Sequence, residues 1–162
     1  MRIVRSLLTV LALALAISAC VPVATPPGTP TLESRSFANW CDSPSGRVAT
    51  LGAELFVDTR LSGDGSLSCG SCHLPELGFA DGKPLAIGMG GKQLQRHTPG
   101  LVNLESHRSF FWDGRAASLE SQAEAVITNP DELGSSMADV VKRLSQDPWY
   151  QQEFNELFAK RA

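Results

Sequence analysis

The chemistry-bearing feature of this chain is the run Cys69-Gly70-Ser71-Cys72-His73. Two thiols at C-x-x-C spacing can each form a thioether with one vinyl group of a haem. A histidine directly after the second cysteine can then ligate the iron. A C-x-x-C pair alone also serves as a zinc half-site or a redox dithiol. The adjacent His73 favours covalent haem c over both. One haem c is therefore expected, bonded through Cys69 and Cys72, with His73 as its metal ligand.

The N-terminus supplies a compartment for that chemistry. Arg2 and Arg5 precede an apolar run from Leu7 to Ile17, the length of a signal-peptide core and too short for a membrane span. The run ends in Ile17-Ser18-Ala19-Cys20. Small residues before a cysteine resemble a bacterial lipobox, with Cys20 as the lipidation site; the alternative is an ordinary secretory signal. With Val21 rather than Asp after Cys20, sorting points to the outer membrane, on the periplasmic side of the envelope. The expected organisation is a lipoprotein signal over 1–19, a Pro/Thr-rich tether over 20–38 and a haem domain over 39–162. Cys41 is left without a partner and reads as buried or inert.

Without residues 1–19 the chain has 12 Lys and Arg against 17 Asp and Glu, a net −5. That balance argues against nucleic acid and suits a domain that meets basic redox partners. The elements that must position the motif are helical. Arg47–Phe56 carries Val48, Leu51 and Leu55 at helical spacing. Residues 116–127 repeat the pattern with Leu119, Ala123 and Val126, and Pro130 ends that segment. Residues 137–144 form an amphipathic helix capped by Ser135 or Ser136, and 149–160 a last one. Thr59–Ser68 is turn chemistry. Residues 74–100 hold six Gly and three Pro and predict a long loop around the haem. No strand-length alternation occurs. The fold class is mostly α: a c-type cytochrome fold with long loops wrapping one covalently bound haem.

Several further motifs stand in a recognisable order. They are Leu51-Gly52-Ala53-Glu54-Leu55-Phe56, Leu61-Ser62-Gly63-Asp64-Gly65, Gly78-Phe79-Ala80-Asp81-Gly82 and Arg96-His97-Thr98-Pro99. Phe111-Trp112-Asp113-Gly114-Arg115, Leu119-Glu120-x-Gln122-Ala123 and Asn129-Pro130-x-Glu132 follow. With the haem motif they resemble the N-terminal, peroxidatic domain of bacterial di-haem cytochrome c peroxidases and their MauG-like relatives. The resemblance implies reduction of hydrogen peroxide with electrons from a small cytochrome c or cupredoxin, relayed through a second haem domain. By motif it places Trp112 between the haems and Gln122 and Glu132 in the peroxide pocket. Glu132 would shuttle a proton and Gln122 would orient the peroxide. The bland readings are a first-turn charge for the 137–144 helix, a solvated helix residue, and for Trp112 a core aromatic; packing and relay are compatible for the indole. Arg115 pairs with a haem propionate or is a surface charge.

Three departures qualify the resemblance. One C-x-x-C-H motif is present, so the second haem would come from another chain, or the sequence is a truncation. Met89, in Ile87-Gly88-Met89-Gly90, stands where many members carry a displaceable His. It either ligates iron as a second axial metal ligand or leaves the site open. His97 replaces the usual Asn of a calcium site, and imidazole is a poor calcium ligand, so calcium is doubtful. His97 and His107 are left without a clear task. The alternative to a peroxidase is a lipid-anchored mono-haem electron carrier, or a fragment without function of its own.

Overall fold

A computed structural model describes residues 43–159. The expectations for the signal segment, Cys20, the tether, Cys41 and the far end of the last helix lie outside the described residues.

Four α-helices form where the apolar periodicity and capping chemistry coincide. Helix α1 spans Pro44–Val57. Ser43 caps it, its Oγ accepting the Gly46 N–H at 3.1 Å, and Pro44 occupies the first turn, where a missing N–H costs nothing. Helix α2 spans Leu119–Thr128, with Ser118 and Ser121 in a reciprocal capping box. Helix α3 spans Met137–Leu144 and is capped by Ser136. Helix α4 spans Pro148–Phe158 behind Asp147, whose carboxylate accepts the Trp149 N–H. Among the described residues no helix is long and apolar enough to cross a membrane.

These helices share one apolar core. Val48, Leu51 and Leu55 of α1 meet Leu61, Ile127, Leu133, Val140, Leu144, Tyr150 and Leu157. Leu51, Leu55, Leu61, Ile127 and Val140 are fully buried, and each such side chain contributes roughly 1.5–3 kcal/mol of burial. A polar clasp joins the two ends of the core. Arg60 bridges Asp58 and Asp147, and its guanidinium lies 4.9 Å from the Tyr150 ring centre. The buried Tyr150 hydroxyl donates to Asp58 at 2.8 Å.

The remaining chain is loop, but loop of a repeated design. Among the described residues there is no strand. Three isolated antiparallel pairings, Leu74 with Ala80, Ile87 with Gln93 and Phe110 with Ala116, each join residues six apart. Each closes a short loop whose turn needs left-handed residues: Gly78 and Phe79, Gly90 and Gly91, Phe111 and Gly114. The pairing of Ala116 corrects the sequence reading that began the second helical segment there. Ser118 caps the helix, so Ala116 is left to the loop.

The clasp carries a pH signature. Burial raises the Asp58 pKa, but hydrogen bonds from the Arg60 side chain and backbone and from Tyr150 outweigh it, and the carboxyl titrates below its ordinary 3.8. A depressed folded-state pKa stabilises the fold above the unfolded value, and that stability is lost as pH falls through the folded value. Chemical denaturation should therefore show wild type more stable than Asp58→Asn at neutral pH, with the gap closing as pH drops past 3.8. Tyr150→Phe should cost about 1.5–3 kcal/mol at neutral pH, the range for a hydrogen bond to a charged group.

Candidate functional site

The C-x-x-C-H run begins as a 3-10 turn over Cys69–Ser71 packed against α1. Ser68 and Ser71 cap each other, with the Ser68 N–H donating to Ser71 Oγ at 2.9 Å. The turn ends with Cys72 N–H and His73 N–H both donating to the Cys69 carbonyl. Both thiols are free. Cys69 packs against the core, and burial pushes its thiol up to about 12; burial raises Cys72 as well. A reactive dithiol needs a lowered thiol pKa, so this environment is the wrong one for redox exchange. Among the described residues no three His, Cys, Asp or Glu side chains are grouped to hold a metal ion.

The His73 ring is held in one orientation. Its Nδ1 lies 2.6 Å from the Phe79 carbonyl oxygen. A carbonyl only accepts, so Nδ1 carries the proton and Nε2 keeps its lone pair for a metal. Burial lowers the His73 pKa and favours this neutral form. Phe56 of α1 packs on the same group, 6.3 Å from the His73 ring and edge-on to Phe79. The donor set, the tautomer and the buried thiols fit a covalently attached haem.

A second region faces this motif. The Cys72 sulfur lies 3.8 Å from the Ile87 carbonyl, at the base of the 87–93 loop. That loop is docked on the turn that follows α2. Met89 N–H donates to both the Asp131 and Glu132 carbonyls, at 3.3 and 3.1 Å, and Lys92 pairs with Asp131. The Met89 thioether lies against Gly134, and the Gly88 backbone against the Asp131 carbonyl. The structure thus brings Met89 and Glu132 together, as the sequence alone had no means to do.

Glu132 is half-buried and held rather than solvated. Its Oε1 accepts from Asn129 Nδ2 at 2.8 Å, while Asn129 Oδ1 accepts the Asp131 N–H. Burial raises its pKa, with the Asn129 hydrogen bond and the Arg115 charge pulling the other way and Asp131 adding to the rise. It is not a first-turn charge of α3; Asp139 has that place. Gln122 is half-buried in the first turn of α2. It shares a helix face with Asn129, seven residues on, or about 10 Å along the axis. Arg115 is ion-paired with Asp113 and lies over the Phe111 ring at 3.5 Å. His97 and His107 are exposed.

Trp112 corrects one expectation. It is 74% exposed, not a core aromatic. The left-handed Phe111 and the Asp113-Gly114 turn put it at the tip of the 110–116 loop, where the Arg96 guanidinium stacks on its face at 4.1 Å. Sequence reasoning also passed over Asn129 and Phe79. Asn129 was visible only as part of a motif, and Phe79 acts through its backbone, which residue type does not reveal.

The family profile described as di-haem cytochrome c peroxidase matches residues 47–162. The methylamine utilization protein MauG of Methylorubrum extorquens is 50% identical over 108 residues, which are 67% of this chain and 31% of that protein. The cytochrome c551 peroxidase of Pseudomonas aeruginosa is 38% identical over 110 residues, 68% of this chain and 32% of that one. A solved MauG-like protein associated with microbial copper homeostasis superposes with a TM-score of 0.64 at 35% identity, covering 70% of this chain and 34% of that one. The chain thus spans about a third of the length of these relatives.

The docking of the 87–93 loop is testable by steric load. A Cβ at Gly88 would stand 1.9 Å from the Asp131 carbonyl oxygen and 3.1 Å from Leu94 Cδ2. The Gly88 φ of −95° suits any residue, so the penalty is packing alone. Gly88→Ala should lower stability by about 1–3 kcal/mol, read as a shift of the denaturant midpoint at unchanged slope.

Proposed function

This chain belongs to the di-haem cytochrome c peroxidase family, and on that premise we propose that it carries a haem c on Cys69, Cys72 and His73 and uses it to reduce hydrogen peroxide. When bound, the haem supplies a redox iron at which peroxide takes up two electrons and two protons and leaves as two waters. The observation that carries the reading is Glu132, a half-buried carboxyl with a raised pKa, fixed by Asn129 beside the 87–93 loop that reaches Cys72.

The chain's own groups divide the work. His73 binds through Nε2, its ring held by the Phe79 carbonyl. Glu132 takes a proton from the near oxygen of the peroxide and returns it to the leaving one, the task of a general acid–base whose pKa is shifted toward neutrality. Gln122 orients the peroxide. Met89, on the 87–93 loop, would face a bound haem, and Arg115 would pair with one of its carboxylates. Trp112, at the surface, is the entry for electrons from a second haem domain, fed in turn by a small cytochrome c or cupredoxin. Residues 17–20 support a lipid anchor at Cys20 and a place on the periplasmic side of the envelope.

Two measurements test the proposal. Haem should remain with the protein through acid–acetone extraction, and replacing Cys69 and Cys72 by Ala should abolish that retention; extractable haem from wild type overturns covalent attachment. Glu132→Gln should slow the reaction of the reduced protein with peroxide by roughly 10²–10⁴-fold, at unchanged haem content and optical spectrum. Equal rates for the two proteins would remove Glu132 from the chemistry.

A further inference from the structure

Asp81 is a buried carboxylate that the proposed reaction does not use. It directly follows the loop closed by Leu74 and Ala80, and it is 7% exposed. Its Oδ1 accepts the Lys83 backbone N–H at 3.1 Å. Its Oδ2 is buried and has no hydrogen-bond partner. A charge kept out of water with one oxygen unsatisfied is costly, and such a group calls for an explanation. A turn cap alone would need only one oxygen and no charge.

The surroundings of Asp81 supply the explanation. The antiparallel pairing of Leu74 with Ala80 sets Asp81 opposite His73 at the mouth of the loop, two residues after the Phe79 carbonyl that accepts from the His73 ring. Lys83 next to it is exposed, so its positive charge is screened by solvent. Burial leaves the field of Asp81 far less attenuated. A fixed negative charge beside an iron ligand stabilises the more positive, oxidised iron, and local charge and burial are among a protein's levers on haem potential.

We propose that Asp81 is a potential-setting residue, its buried carboxylate lowering the reduction potential of a haem held by Cys69, Cys72 and His73. The inference rests on the haem reading above but not on the peroxidase chemistry. It asks for one electron to enter the iron, with no bond made or broken, and the dithionite or electrode of the titration supplies that electron.

The test is a redox titration of the haem-loaded chain, followed by its absorption spectrum. Asp81→Asn keeps the Oδ1 acceptor for Lys83 and removes the charge. It should raise the ferrous-to-ferric ratio at fixed potential about tenfold, a shift of about 59 mV for a one-electron couple. Glu76→Gln, which removes an exposed charge three residues from His73, should leave the potential in place. Should Asp81→Asn fail to fold, Asp81→Ser retains a turn-capping oxygen without the charge and carries the same expectation. An unchanged potential at full haem content overturns the role of Asp81 and leaves the haem reading standing. A wild-type chain without covalent haem overturns both, and the extraction experiment separates the two results.

Discussion

The hydrogen bond between the His73 ring and the Phe79 carbonyl is the constraint on which the site depends. It decides which nitrogen holds the proton, and so which nitrogen is left to bind. It is also demanding of the backbone. For its carbonyl to turn toward His73, Phe79 adopts a φ of 62° directly after Gly78 at 64°. A left-handed conformation costs an ordinary residue about 1–2 kcal/mol. The Leu74–Ala80 pairing offsets that strain by closing the loop on both sides, and Phe56 covers the ring from α1.

The same device recurs at the other two edges of the site. The 87–93 loop presents Met89 and the 110–116 loop presents Trp112 and Arg115, each closed by a pairing of residues six apart. Helices supply the mass of the core and carry Gln122, while these short closed loops carry Met89, Trp112 and Arg115. Backbone approaches closely at two glycines around the site. Gly88 meets Asp131, and Gly63 meets Gly134, too closely for a Cβ at either position. Neighbouring turns are thus stacked backbone on backbone, with little side chain between them to yield.

Helix positions were legible in the sequence because periodicity and caps agree there. A serine cap at 135 or 136 with Val140 and Leu144 defines α3 in the sequence; the structure keeps the bounds 137–144 and puts the cap at Ser136. The haem motif was legible because the chemistry lies in adjacent residues. The contact between the 87–93 loop and Glu132 was not, since it joins segments some forty residues apart through carbonyl groups that every residue possesses. Trp112 shows the opposite failure. Large aromatics are usually sheltered, and composition gave no sign that a left-handed Phe111 would turn this one out to solvent.

The bifurcated hydrogen bond of Met89 has a mechanical meaning. Its two acceptors are the carbonyls of Asp131 and of Glu132 itself. The 87–93 loop and the turn that mounts Glu132 are therefore tied backbone to backbone. Lifting the loop strips the turn of two donors, counting the Lys92 pairing, and slackens the mounting of Glu132. A displacement of the loop is thus felt at the Glu132 turn, like a door whose latch is also its lamp switch.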